Sequence, residues 1–129
     1  MYAGLIKATI VGTILLIILD AGWLAFRMDY HKTLFQAVQG APIQVRYLPA
    51  AIVYIILAAT LYMFVLRTTT TVTEAVKKGA LLGGAMYAFY DATNLATLKG
   101  WTWEMAITDS LWGAVLSGVG AGCLKYLKF

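Results

Sequence analysis

Four long apolar stretches, separated by short polar connections, take up most of this chain of 129 residues. They lie at residues 4–26, 47–66, 74–98 and 103–127. A helix needs about 20 largely apolar residues, each rising about 1.5 Å, to cross the hydrocarbon core of a bilayer. We therefore predict an all-α fold: a single transmembrane domain over residues 1–129, in which four transmembrane helices form a compact bundle.

The composition excludes an ordinary soluble domain. The chain is 61% hydrophobic and 12% charged, against about 45–50% and about 25% in average soluble domains. Its net charge is +4, but the basic residues stand singly or in pairs at the ends of the stretches, where phospholipid headgroups lie. No basic stripe is interleaved with aromatic residues, so we expect membrane lipid as a partner and no nucleic acid.

Local signals mark the ends of the predicted helices. Thr71 and Glu74 have the spacing of a capping box at the start of the third helix, and Gly100 fits a C-cap after its end. Thr102 is placed to cap the fourth helix. The first stretch has no convincing small-residue cleavage site, so we expect a retained membrane helix rather than a signal peptide.

The connection between the first two helices is long enough for a further element. Residues 33–39 predict a short interfacial helix that ends at Gly40. We expect this helix to dip three apolar side chains into lipid, namely Leu34, Phe35 and Val38.

Charged and aromatic residues predict how the bundle sits in the membrane. Basic residues at the N-terminal end, in the second connection and at the C-terminal end outnumber those of the other side by six to four. Basic residues favour the cytoplasmic side, so we expect both termini in the cytoplasm. Trp101 and Trp103 are expected in the aromatic belt at the membrane surface.

Small residues recur at helical spacing in the third and fourth stretches. Such stripes let helix backbones approach closely in lipid. They indicate either packing within the chain or the seam of a homodimer. The stripes are Gly79 with Gly83, Gly113 with Ser117 and Ala121, and Gly118 with Gly122.

Three acidic residues inside the apolar stretches are the most informative feature for function: Asp20, Asp91 and Asp109. Because the first and third helices run one way and the fourth runs back, all three fall in the same half of the membrane. An acidic side chain at the bilayer centre costs about 2.5–3.5 kcal/mol in insertion experiments. We therefore expect the three carboxyl groups to meet inside the bundle rather than to face lipid separately.

Each of these acids has an aromatic or amide side chain one helical turn away. We predict a ligand or proton site with a basic rim, because intramembrane acids are functional by default. The alternative is structural, with the acids paired to the rim arginines, or hydrogen-bonded to the amide and the tyrosines, to fix helix register. The predicted site residues are Asp20, Trp23, Tyr87, Tyr90, Asp91, Asn94, Asp109 and Trp112, and the rim residues are Arg27, His31 and Arg46.

Histidine and cysteine are too few for a typical metal centre. His31 is the only histidine, and Cys123 is the only cysteine. We therefore predict no metal site and no disulfide. The chain carries no phosphate-binding, dinucleotide-binding or zinc-protease motif, so no cofactor is expected.

Three units stand in order along the chain: Asp20-x-x-Trp23-Leu24, Tyr90-Asp91-Ala92-Thr93-Asn94-Leu95-Ala96-Thr97-Leu98-Lys99-Gly100-Trp101, and Asp109-x-x-Trp112-Gly113. Together they resemble the small bacterial membrane proteins numbered 2177 among the domains of unknown function. The resemblance implies four membrane helices and the bacterial inner membrane as the location. The family brings no established activity, so no catalytic residue is carried over.

Three functions fit this arrangement. The first, which we favour, is an acidic, aromatic-lined pocket that binds or transports a small cationic or amphiphilic ligand, with protonation of Asp91 or Asp20 coupled to occupancy. A chain this small would need to dimerise to act as a carrier. The second is an intramembrane enzyme on a lipid or isoprenoid-like substrate, with Asp91 as general acid or base and Asp109 or Asp20 as its partner. The third is an accessory subunit that packs against another membrane protein.

Overall fold

The computed structural model describes residues 2–129, and within them five α-helices follow one another along the chain. A 3-10 turn at Leu66–Thr68 extends the third helix. The prediction of an all-helical fold is confirmed. The helices are α1 Tyr2–Phe26, α2 Met28–Gln39, α3 Tyr47–Phe64, α4 Val72–Thr97 and α5 Trp103–Tyr126.

Three segments within residues 2–129 are long and apolar enough to cross a membrane, namely Tyr2–Phe26, Tyr47–Thr68 and Trp103–Tyr126. α4 is equally long, with 26 residues. It is less apolar because it contains Asp91 and Asn94 together with several glycines and tyrosines. Three of the four predicted membrane helices are thus long and apolar enough to cross a membrane.

The helices pack around α1 and α5. α5 contacts α4 extensively, and α1 lies against both α3 and α5. α3 makes few contacts with α4 and α5, so the order across the bundle is α3, α1, α5, α4. Burial of apolar side chains between these helices forms the core. Its fully or almost fully buried members include Leu16, Leu57, Ala58, Leu61, Leu116, Ala121 and Leu124.

Small residues allow a close approach of α4 to α5. A Cβ atom added to Gly79 would lie 2.7 Å from both the Ala121 Cβ and the Ser117 carbonyl oxygen. A Cβ atom added to Gly83 would overlap the Ser117 side chain. All six residues predicted for helix packing lie in this contact, namely Gly79, Gly83, Gly113, Ser117, Gly118 and Gly122.

Threonine caps fix where α4 and α5 begin. The Thr71 hydroxyl accepts the Glu74 backbone N–H at 3.1 Å, and the Glu74 carboxylate accepts the Thr70 backbone N–H at 3.1 Å. The Thr102 hydroxyl accepts the Met105 backbone N–H at 3.0 Å. Both predicted N-caps are confirmed, and each satisfies a backbone donor that the helix itself leaves free.

α2 is longer than the short helix predicted from residues 33–39. It begins at Met28, with only Arg27 between it and the end of α1. It ends at Gly40, which has a φ of 71° and donates its backbone N–H to the Gln36 carbonyl. This left-handed C-cap is the reason that glycine suits the position.

α2 covers the connection between α4 and α5. Leu34 is 5% exposed and packs against Trp101, which is 6% exposed, while Phe35 and Val38 pack partly against the same cluster. The expectation that Leu34 faces lipid is therefore wrong. The expectation that Trp101 lies in a surface belt is also wrong, because the connection turns its indole inward beneath α2.

Candidate functional site

Asp20, Asp91 and Asp109 lie at the same level of the bundle. Each is six residues from the end of its helix that is nearer to α2. At about 1.5 Å per residue, all three lie about 9 Å inside those helix ends. α1 and α4 run in one direction and α5 runs back, which brings the three acids to one end of the bundle.

Asp20 is buried and hydrogen-bonded by two other helices. The Tyr54 hydroxyl donates to Oδ2 of Asp20 from α3. The Trp112 indole Nε1 donates to Oδ1 of Asp20 from α5 at 2.8 Å. Both carboxylate oxygens therefore have a donor, and this single side chain ties α1 to α3 and α5. Asp20 thus matches the alternative in which an acid is hydrogen-bonded within the bundle to fix the register of the helices.

An aromatic stack continues from this network toward the end of the bundle. The rings of Trp23 and Trp112 are nearly parallel, 7° apart, with centroids 4.9 Å from each other. The Arg27 guanidinium lies 5.7 Å from the Trp23 ring and 4.2 Å from the Tyr30 ring. Stacking and cation–π attraction hold these side chains together.

The rim arginines do not neutralise the intramembrane acids. Arg27 pairs with Glu104 at 3.7 Å, which is the one ion pair within the described residues, and donates to the Thr108 hydroxyl at 3.4 Å. Arg46 is exposed at the N-cap of α3. The alternative in which these arginines pair with the three aspartates is therefore wrong. Arg27 lies just beyond the end of α1, where it reaches the first turns of α5 rather than the deeper carboxyl groups.

Asp91 is also buried, but it lacks the hydrogen bonds that Asp20 receives within residues 2–129. It is 0% exposed. Its carboxylate is flanked by the carboxyl group of Asp109 and the indole of Trp101, yet neither of its oxygens meets a donor in hydrogen-bonding geometry within residues 2–129. The Trp101 Nε1 is likewise buried and without an acceptor among those residues. Two acidic groups thus face each other without a protein cation between them.

Tyr87 lies near Asp20 and near the Asp91–Asp109 pair. Its phenol lies within electrostatic range of Asp20, Asp91 and Asp109, and its ring fills the space that a side chain at Gly113 would need. The glycine thus lets α5 come close enough to bring its aspartate to the same tyrosine. The structure therefore gathers all three acids around one aromatic side chain.

The remaining predicted residues surround this centre. Tyr90, half exposed, lies beside Asn94 and contacts the edge of Trp101 with ring centroids 6.1 Å apart. His31 is 8% exposed and its Nδ1 lies 2.8 Å from the Arg27 carbonyl oxygen. Because a carbonyl oxygen can only accept, Nδ1 is the donor in this hydrogen bond. His31 belongs to the α2 cover rather than to the acidic centre.

The donor set suits a proton or a cation with few protein ligands. Within residues 2–129, no three His, Cys, Asp or Glu side chains are grouped so that they share a metal ion. Two carboxyl groups and one indole N–H meet instead at Asp91, Asp109 and Trp101. A pair of facing carboxyl groups can share one proton or hold one small positive charge.

Sequence reasoning missed two members of the site. Tyr54 is absent from the predicted site residues because α3 has no charged side chain, and its hydroxyl is one of several in that helix. Trp101 flanks Asp91, although the sequence predicts it in the aromatic belt at the membrane surface. No periodic pattern covers the connection in which it lies, so the inward turn of the indole had no sequence signal.

Comparisons with known proteins place the chain in a family but not with a characterised protein. A family model described as "Predicted membrane protein (DUF2177)" matches residues 5–125. No curated protein and no solved structure matches the chain.

Proposed function

The chain belongs to the DUF2177 family of predicted membrane proteins, and we propose that it is an integral protein of four transmembrane helices that binds a small cation at its Asp91–Asp109 pair. The ligand class is a proton, a small inorganic cation or a small amine. One observation carries the proposal. Asp91 is fully buried, and its carboxylate oxygens have no hydrogen-bond donor within residues 2–129.

The packing of α4 supports a fourth membrane-spanning helix. Gly79 of α4 lies against Ala121 of α5, and Tyr87 of α4 lies against Gly113 of α5. α4 therefore lies at the same depth as α5, which is apolar enough to span a membrane. It begins at the end of the bundle where α3 stops, and α5 begins where α4 stops. Its 26 residues make it about 39 Å long, more than the roughly 30 Å of the hydrocarbon core.

The charge balance at the acid pair supports a cationic ligand. An ionised carboxylate inside a membrane is costly unless a partner or water offsets its charge. Asp109 adds a second acidic group beside Asp91, and Arg27, the rim cation, is engaged by Glu104. A bound proton or cation supplies the positive charge that the described part of the protein does not.

The partial exposure of Asp109 supports entry from the surface of the bundle beside α5. Asp109 is only partly buried, whereas Asp91 is fully buried, so the pair extends from the interior of the bundle toward its surface. Tyr90 and Trp101 stand beside it with their rings at 89° to each other. Aromatic faces attract organic cations, which favours a small amine among the cationic ligands.

Asp20 has a different role in this proposal. Its two hydrogen bonds from Tyr54 and Trp112 already satisfy both oxygens. It fixes the positions of α1, α3 and α5, and Tyr87 lies within electrostatic range of both Asp20 and the Asp91–Asp109 pair. We infer that a change in charge at the pair alters the electrostatic field around Tyr87 and Asp20, and that this couples occupancy of the pair to the helix contacts there, as a proton-linked carrier requires.

Cation binding can be measured by tryptophan fluorescence, because Trp101 flanks Asp91. The purified protein in detergent is titrated at constant ionic strength with sodium, potassium or ethylammonium chloride, and bulky N-methylglucamine chloride makes up the balance. We expect a saturable change for at least one of the small cations in the wild type. Asp91→Asn should abolish it, because the amide removes the negative charge.

Asp29→Asn is the matched control, since Asp29 is an exposed acid on α2. We expect this variant to respond as the wild type does. A response that Asp91→Asn retains in full would overturn the proposal. A wild type that responds to none of the three cations and whose Asp91 takes up no proton would overturn it as well.

The location and orientation are part of the same proposal. The family places the chain in a membrane, and we propose the bacterial inner membrane with both termini in the cytoplasm. The excess of basic residues at that end of the bundle supports this orientation. The acid pair then lies in the half of the bilayer that faces away from the cytoplasm.

A further inference from the structure

The two ends of the helix bundle differ in charge. The end at which α1 begins and α5 finishes has six basic residues and one acidic residue, which are Lys7, Arg67, Lys77, Lys78, Lys125, Lys128 and Glu74. The α2 end has the other four basic residues and all the other acidic residues. The end with six basic residues, here called the basic end, attracts anionic lipid headgroups.

An apolar groove of about 630 Å³ opens at the basic end between α1, α4 and α5. Val11 and Leu15 form one wall, Val76 forms part of the other, and Gly122 and Tyr126 belong to the floor. Since α1 and α4 lie on different sides of α5, the groove occupies the gap between them. It is lined almost wholly by apolar atoms, so a polar ligand has no partner inside it.

A second apolar groove of about 310 Å³ continues the first toward the middle of the bundle. Both grooves include Val76 and Val119 in their walls. Along α5 the combined track runs from Tyr126 to Ala114, which is about 18 Å at 1.5 Å per residue. Half the hydrocarbon thickness of a bilayer is about 15 Å, so the track has the length of one acyl chain in one leaflet.

Two lysines on the helices that line the groove form no hydrogen bond and no ion pair within residues 2–129. Lys7 lies one turn before Val11 on the same face of α1, and Lys77 follows Val76 on α4. Both are exposed, and neither forms a hydrogen bond or an ion pair within residues 2–129. Lys125, by contrast, donates to the Leu66 carbonyl at 2.9 Å.

We propose that this track binds one acyl chain of an anionic phospholipid, whose phosphate is held by Lys7 and Lys77. The track supplies the length and the apolar lining, and the lysines supply the charge that selects the headgroup. A second copy of the chain suits the groove less well. Parallel packing on this face would bring the two basic ends together, where like charges repel.

The proposal is tested by native mass spectrometry of the protein released from nanodiscs of equal parts phosphatidylglycerol and phosphatidylcholine. We expect one retained phosphatidylglycerol per chain. Lys7→Gln with Lys77→Gln should lower the retained fraction by about tenfold, since each lysine near an anionic surface contributes several-fold. Val119→Phe should also lower it, because the larger ring fills the track from its floor.

Two variants serve as matched controls. Lys32→Gln with Lys99→Gln removes two charges at the α2 end, and Leu111→Phe enlarges an exposed side chain of α5 outside the track. Both should retain phosphatidylglycerol as the wild type does. Equal retention of the two lipids would overturn the proposal. So would retention that Val119→Phe leaves unchanged, or a two-chain species that carries no lipid.

Discussion

The indole Nε1 of Trp112 donates a 2.8 Å hydrogen bond to Oδ1 of Asp20, 92 residues away in sequence. The other oxygen of the same carboxylate accepts from the Tyr54 hydroxyl. One acidic side chain therefore fixes the relative positions of α1, α3 and α5. Asp91, at the same level of the bundle, has no such donors within residues 2–129. The two acids are therefore in different hydrogen-bonding environments.

Removing one donor from Asp20 should weaken the bundle. We expect Trp112→Phe and Tyr54→Phe each to lower the free energy of unfolding by about 1–3 kcal/mol, because each leaves a buried carboxylate oxygen without its hydrogen bond. Unfolding in mixed micelles, followed by circular dichroism, measures the change. Trp103→Phe is the control, since Trp103 is 72% exposed. A control variant as unstable as Trp112→Phe would contradict this role.

A side chain at Gly83 should separate α4 from α5. Its Cβ would overlap Ser117 and lie 2.7 Å from the Gly113 carbonyl oxygen, so we expect Gly83→Ala to cost about 1–3 kcal/mol. Gly22→Ala should be neutral or stabilising by about 0.5–1 kcal/mol, because nothing lies within 4 Å of its added Cβ. The same unfolding experiment compares them. Equal stability of the two variants would show that α4 and α5 are not in close contact.

The Arg27 side chain should matter through its aromatic contacts more than through its ion pair. Glu104 is 59% exposed, so Glu104→Gln should change the free energy of unfolding by less than about 1 kcal/mol. Arg27→Ala should cost more, because it also removes the packing on Trp23 and Tyr30. Measuring the free energy of unfolding at low and high salt separates the ion pair, which salt weakens, from the aromatic packing, which salt leaves unchanged. A large, salt-sensitive loss in Glu104→Gln would reverse this ranking.

Sequence patterns predicted the helical class, the caps at Thr71 and Thr102 and the level of the three acids. The caps depend on residues close together in the chain, and the level of each acid depends on its distance from the end of its own helix, so spacing determines these outcomes. The partners of the acids did not follow from spacing. A helical period shows which side chains share a face, but not which helix lies opposite. Tyr54 opposite Asp20, and Glu104 opposite Arg27, depend on packing across the bundle.

The length of α2 has a similar explanation. Residues 28–32 include two charged side chains and a histidine, which gave no apolar signal for a helix. In the structure His31 bonds the Arg27 carbonyl and Tyr30 shares a 2.6 Å hydrogen bond with Thr102. One hydrogen bond at the start of the helix itself and one to the N-cap of α5 thus stabilise its first turns.

Cysteine labelling tests whether α4 crosses the membrane. In a Cys123→Ser background, Thr70→Cys and Lys99→Cys place single thiols in exposed connections at the two ends of α4. A membrane-impermeant maleimide is added to intact cells and then to permeabilised cells. We expect Lys99→Cys to react in intact cells and Thr70→Cys only after permeabilisation. Gln39→Cys should react as Lys99→Cys does, because both lie at the α2 end. Labelling of both ends of α4 from one side would contradict a fourth span.

Infrared difference spectroscopy with carbon-13 aspartate reports directly on the carboxyl group of Asp91. Cation addition to the purified protein is compared for the wild type, Asp91→Asn and the control Asp29→Asn. If the Asp91–Asp109 pair exchanges a shared proton for a cation, the wild type and Asp29→Asn lose the carbonyl band of one protonated carboxyl group per chain. Asp91→Asn then shows neither the band nor its loss. A wild-type spectrum identical to that of Asp91→Asn, and unchanged by any cation, would contradict a cation or proton site at Asp91.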